Sequence, residues 1–75
     1  MSPDKLVYMA NQIGKAFAYE GEEKGAQSVA NHIHKFWDPR MRSTIFAKLD
    51  GPETAALLPI SRKALTELKA ALAAS

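Results

Sequence analysis

Residues 31 to 42 read NHIHKFWDPRMR, a stretch dense in residue types able to do chemistry. Two histidines, three basic side chains, an aromatic pair and a proline within a dozen positions suit a ligand site, a nucleic-acid patch or a partner surface. Spacing argues against a shared metal ion. His32 and His34 are two residues apart, and at about 100° per residue on a helix they point about 200° apart, so they do not converge as an i, i+4 pair does. Both fit the boundary of an apolar stripe centred on Ile33. No nucleophile has a recognisable base beside it, no G-x-S-x-G or paired-histidine zinc motif occurs, and the four glycines form no phosphate loop. A short helical chain also offers little concave volume for a substrate. Independent catalysis is not expected.

The polar and aromatic residues around the histidines are more informative. By helical angle Asn31 and Lys35 lie opposite the second apolar stripe, as Asn11 and Lys15 lie opposite the first, together with Tyr8 and Tyr19. Asparagine in mid-helix costs about 0.5 kcal/mol of propensity at each site, so these two are either selected for contact or belong to ordinary solvated faces. Arg42 points into the apolar stripe of a third helix, where a guanidinium must snorkel outward, pair with a carboxylate or meet another chain. Arg40 points outward. Trp37, beside the Asp38-Pro39 corner, suits either a core edge or an interface anchor.

These residues must be positioned by helices, because no window of the chain alternates with period two. The pattern predicts an all-α fold, a small bundle of three to four short helices at about 3–19, 24–37, 39–49 and 60–73, in a single domain over 1–75. Ser2, Pro3 and Asp4 form a start signal, with a capping oxygen, a preset first turn and an acid at the positive end of the dipole. Leu6, Met9, Ala10, Ile13, Ala16 and Phe17 then recur at three- and four-residue steps. EGEEKG at 20 to 25 breaks that stripe. Ala26, Val29, Ala30, Ile33, Phe36 and Trp37 make the second, stopped by Asp38-Pro39, since a residue before proline is pushed out of helical geometry.

The same dipeptide starts the third helix, with Asp38 capping and Pro39 in the first turn, and with Met41, Ile45, Phe46 and Leu49 inward. Asp50-Gly51-Pro52 ends it. A loop or single turn is expected at 53 to 57, and then a last helix, within 59–74, with Leu65, Leu68 and Leu72 inward and Ala64 and Ala71 flanking. MANQIGKAF at 9 to 17 echoes VANHIHKFW at 29 to 37, as two helices of one bundle solving the same packing problem would, or as a duplication would leave.

At 75 residues and 8.2 kDa the chain is one domain that buries only roughly 60 to 65% of the surface its unfolded form exposes, so its stability margin is thin. Small domains supplement such a margin with disulfides, metals or partners, and the absence of cysteine removes disulfides and thiolate-ligated metals. A partner is the expected supplement. Ten Lys and Arg against eight Asp and Glu leave a formal charge of +2, far short of a phosphate-neutralising surface. Nucleic acid is therefore not indicated, although Lys35, Arg40, Arg42 and Lys48 near a helix-turn-helix-like corner keep a small helical nucleic-acid-binding regulator as an alternative. No signal-peptide stretch is seen at the start, and AALLPI at 55 to 60 is far too short for a bilayer, so a cytoplasmic protein with no membrane association is expected.

MANQI at 9 to 13 and VANHIHKFWDPRMR at 29 to 42 resemble the delta subunit of cytoplasmic NAD-dependent formate dehydrogenases, the multi-subunit molybdenum or tungsten enzymes. The resemblance covers roughly residues 5 to 49, and FWDPRMR is its specific part. It implies a non-catalytic accessory subunit with no cofactor of its own, in a complex whose other subunits carry a molybdenum or tungsten pterin, iron–sulfur clusters, FMN and NAD. It also implies the large catalytic subunit as partner, with a transient assembly chaperone for that subunit as the alternative; because an interface of standard size would take a large share of so small a domain, the isolated chain is expected to be of low stability or self-associated. On this footing the corner from Phe36 to Arg42 is the expected docking element, with Asn11, Asn31, His32, Phe36, Trp37, Asp38, Pro39, Arg40 and Arg42 as candidate interface residues. A proline-fixed corner loses little conformational freedom on binding, which favours affinity.

Overall fold

Ser2 and Pro3 start a helix as their chemistry dictates. In the computed structural model, which describes residues 2–74, Ser2 has extended backbone and its hydroxyl accepts from the Lys5 N–H at 3.4 Å, while Pro3 occupies the first turn. This helix, α1, spans Pro3–Phe17 and tightens into a 3-10 turn at Ala18–Glu20, so the α-helix ends two residues before the expected 19. Met1 and Ser75, the ends of the domain expected over 1–75, lie outside the described residues.

Gly21 makes the break, with φ 92, a conformation in which a side chain is strained. Helix α2 begins directly after it and spans Glu22–Phe36, two residues earlier than the sequence pattern predicts. Glu22 and Glu23 fill its first turn and favour the positive end of the dipole. Gly25 is therefore not a loop residue but a packing contact: a Cβ there would stand 2.8 Å from the Phe17 carbonyl oxygen and 2.6 Å from Ile60 Cδ1. Helix α3, Pro39–Phe46, stops short of the expected 49, and residues 47–50 continue as turns. A 3-10 turn at Pro52–Thr54 occupies the expected loop, and α4 runs Pro59–Ala74.

The described residues form an all-α bundle in which α2 lies between α1 and α4, while α1 also meets α3, α4 and the 52–54 turn. Among the described residues no helix is long and apolar enough to cross a membrane. The apolar stripes supply the core: Leu6 and Ala10 from α1, Ala26, Val29 and Ile33 from α2, Ile45 from α3, and Ala64 and Leu65 from α4 are all fully buried. Burying each of the larger aliphatic side chains contributes about 1.5 to 3 kcal/mol. Two members of the predicted stripes depart from this pattern, since Ala16 and Phe36 are exposed.

Where α1 crosses α4 the contact is polar and close. The buried Ser61 hydroxyl donates to the Ala10 carbonyl at 2.8 Å, and a Cβ on Gly14 would fall 2.3 Å from Ser61 Oγ. Small residues let the two backbones approach, and the hydroxyl satisfies its own hydrogen-bonding demand within the interface.

Candidate docking corner

The corner between α2 and α3 is built by its own backbone chemistry. Proline at 39 denies helical geometry to the residue before it, and Asp38 duly sits at φ −74 and ψ 163, from which its Oδ1 accepts the Met41 N–H at 3.0 Å. The preceding residue, Trp37, has also left the helix, with φ −88 and ψ 137. That extended step turns the indole into the core, where it is only 4% exposed. Phe36, the last helical residue, remains outside at 71%.

Of its two expected settings, core edge or interface anchor, Trp37 takes the core edge in the isolated domain. Of the two adjacent aromatics it is Phe36 that meets solvent, because the chain changes conformation between them. Phe36 does not stand alone. The His32 ring lies one turn back with its centroid 4.7 Å away, tilted by 40°, and Phe17 at the end of α1 lies 6.3 Å beyond that histidine. A half-buried imidazole between two phenylalanine rings makes an aromatic ledge that leads up to the corner.

Arg42 is engaged within the domain. Its Nη1 donates to the Trp37 carbonyl at 2.7 Å and the His34 carbonyl at 3.2 Å. The His34 oxygen belongs to the last turn of α2 and the Trp37 oxygen to the residue that caps it, where carbonyls lack helical partners and the dipole is negative, so a cation is favoured there. Arg42 ties α3 to the end of α2 and holds the corner's angle.

Asn11 is engaged in the same way. Its side-chain amide donates to the Ala56 carbonyl at 2.9 Å, while its Oδ1 accepts the Leu58 N–H at 2.8 Å. It clamps the segment before α4 to α1 and is committed inside the domain. Its counterpart Asn31 is exposed, as expected, and lines a groove of about 440 Å³ between α2 and α4 with His34, Gln27 and Glu67. Arg40 is exposed as expected, beside Asp38 and Met41 in a smaller depression of about 330 Å³.

The candidate residues therefore divide. His32, Phe36, Asp38, Pro39 and Arg40 gather along the ledge and corner, Asn31 lies on the groove side of α2, and Asn11, Trp37 and Arg42 hold the domain together. Sequence reasoning passed over three polar residues that position the rest. Arg62 donates to the carbonyls of Leu49 and Thr54, the Thr54 hydroxyl is buried against the Lys48 and Leu49 carbonyls at 2.8 and 3.1 Å, and Lys69 reaches the Phe46 carbonyl at 3.1 Å. Each hydroxyl buried here is spent on a main-chain oxygen. No group of three or more His, Cys, Asp or Glu able to hold a metal ion occurs among the described residues.

Comparison with known proteins gives one finding. A family model described as NADH-dependent formate dehydrogenase delta subunit FdsD matches residues 5–65. No curated protein and no solved structure matches the chain.

Proposed function

The chain belongs to the delta-subunit family of NADH-dependent formate dehydrogenases, and from that membership we propose that it is a non-catalytic accessory subunit, docking on the large catalytic subunit to stabilise or help assemble the complex. The observation that carries the reading is the family match over residues 5–65, which takes in the whole of the ledge and corner. The exposed phenylalanine agrees with it: a large apolar side chain held out on a rigid turn is the kind of anchor that fills a partner's pocket. The buried hydroxyls of Thr54 and Ser61 are each donated to main-chain carbonyls. In this reading the pterin-bound metal, iron–sulfur clusters, FMN and NAD belong to other subunits, and the complex is cytoplasmic.

Mechanistically, Asp38, Pro39 and Arg42 hold the corner in one conformation, so that docking orders few new torsions. Phe36, His32 and Arg40 then supply the contact. A standard interface buries about 800 Å² per partner, a large share of a molecule whose whole accessible surface is 4656 Å². Docking thus supplies a small domain with apolar burial that its own core cannot reach.

The test is co-purification of the large subunit with a tagged chain. Wild-type chain and Trp37→Phe retain it, whereas Phe36→Ser with Arg40→Glu loses it while keeping its helical circular dichroism. Full retention by that folded double variant removes the docking corner. Mass spectrometry of the mature complex separates a permanent subunit, present at fixed stoichiometry, from an assembly factor that has departed.

A further inference from the structure

The cations of this chain are not spread evenly. Between residues 32 and 42 there are three, Lys35, Arg40 and Arg42, against the single carboxylate of Asp38, a net of +2 that equals the formal charge of the whole chain. The other residues carry seven basic and seven acidic side chains and cancel. The one acid of the segment is engaged, since Asp38 Oδ1 caps α3. The ion pairs found among the described residues, Lys48–Glu53 and Lys63–Glu67, lie elsewhere. Lys35 and Arg40 are exposed without an ion pair among the described residues, and both flank the protruding Phe36 in the chain.

We propose that this corner fits an acidic partner surface: an apolar pocket that receives Phe36, rimmed by carboxylates that meet Lys35 and Arg40. The inference rests on the docking reading above and adds the chemistry of the other side. The physical ground is charge complementarity. A cationic rim steers an acidic surface during approach and fixes its orientation, while the aromatic anchor governs how long the pair persists. Arg42 takes no direct part, because its guanidinium is committed to the Trp37 and His34 carbonyls, yet its charge adds to the local field.

The experiment measures association and dissociation rates of the full chain on immobilised formate dehydrogenase complex purified without it. The association rate falls about tenfold between about 50 and 500 mM NaCl, as screening of an exposed charge pair requires. Lys35→Glu and Arg40→Glu each slow association several-fold at low salt. Lys24→Glu, the same charge change at the far end of α2, leaves it within about twofold. Phe36→Ala instead speeds dissociation and leaves the salt slope unchanged, and circular dichroism shows every variant folded.

Salt-independent association that Phe36→Ala still weakens overturns the acidic rim and leaves the docking corner standing. Binding indifferent to Phe36, Lys35 and Arg40 alike overturns both. Retention of duplex DNA by the corner at micromolar protein, with no binding to the complex, assigns the cations to phosphates and also overturns the proposal.

Discussion

Asn11→Ala and Asn31→Ala change stability in opposite directions. The two asparagines occupy matching places in the echo between MANQIGKAF and VANHIHKFW, and both sit inside helices. Removing either amide gains about 0.5 kcal/mol of helix propensity. At position 31 the side chain is exposed, so the gain stands and the variant is slightly more stable. At position 11 the substitution also deletes two hydrogen bonds to the segment before α4, at 2.9 Å and 2.8 Å. Each is worth about 0.5 to 1.5 kcal/mol. Because water can replace part of that pairing at a half-exposed site, the net loss is about 1 to 2 kcal/mol. For a domain of this size such a loss lowers the melting temperature by about 5 to 15 °C. Thermal and urea unfolding, followed by far-ultraviolet circular dichroism and by Trp37 fluorescence, gives both numbers. Equal melting temperatures for the two variants, or a larger loss at Asn31, refute the clamp.

Other expectations follow from the same contacts. Gly25→Ala forces a Cβ toward the Phe17 carbonyl, which cannot swing aside as a side chain would, and costs about 1 to 3 kcal/mol in unfolding experiments. Trp37→Ala empties a buried site and costs about 3 to 5 kcal/mol, enough to leave little folded protein by circular dichroism, whereas Phe36→Ala leaves the melting temperature nearly unchanged. Arg62→Met strips donors from the Leu49 and Thr54 carbonyls, lowers stability by about 1 to 3 kcal/mol, and raises protease sensitivity at residues 47–58. Glu53 is held below the ordinary carboxylate range, first by a hydrogen bond from its own backbone amide and then by Lys48. A depressed folded value means stability present above the unfolded pKa and lost as pH falls through the folded one, so Glu53→Gln flattens the acid limb of a stability-versus-pH curve.

The bundle's core was legible because period alone identifies a buried face, and Leu6, Ala10, Val29, Ile33, Ile45, Leu65 and Leu68 are all buried as their spacing predicts. Both cap signals, at Ser2 and Asp38, were legible for the same local reason. What escaped was decided at long range. Asn11 and Asn31 have equivalent neighbours in sequence, and only the arrival of residues 56 and 58 distinguishes them. Gly21 and Gly25 look alike in EGEEKG, yet one turns the chain and the other admits Phe17 and Ile60. Of the aromatic pair placed in the second stripe, Trp37 is buried as its spacing predicts and Phe36 is not, because the helix ends between them and the extended step at Trp37 sends the two rings different ways.

The contacts differ in when a growing polypeptide can make them. Arg42 reaches partners only five and eight residues back, whereas the Ser61 bond to Ala10 spans 51. During synthesis the bend at 36–42 is able to set soon after it leaves the ribosome, since local closure is rapid, while α1 and α4 stay unsealed until residue 61 emerges. On the docking reading proposed above, the residues that would meet a partner are thus all synthesised before the segment that seals the bundle arrives.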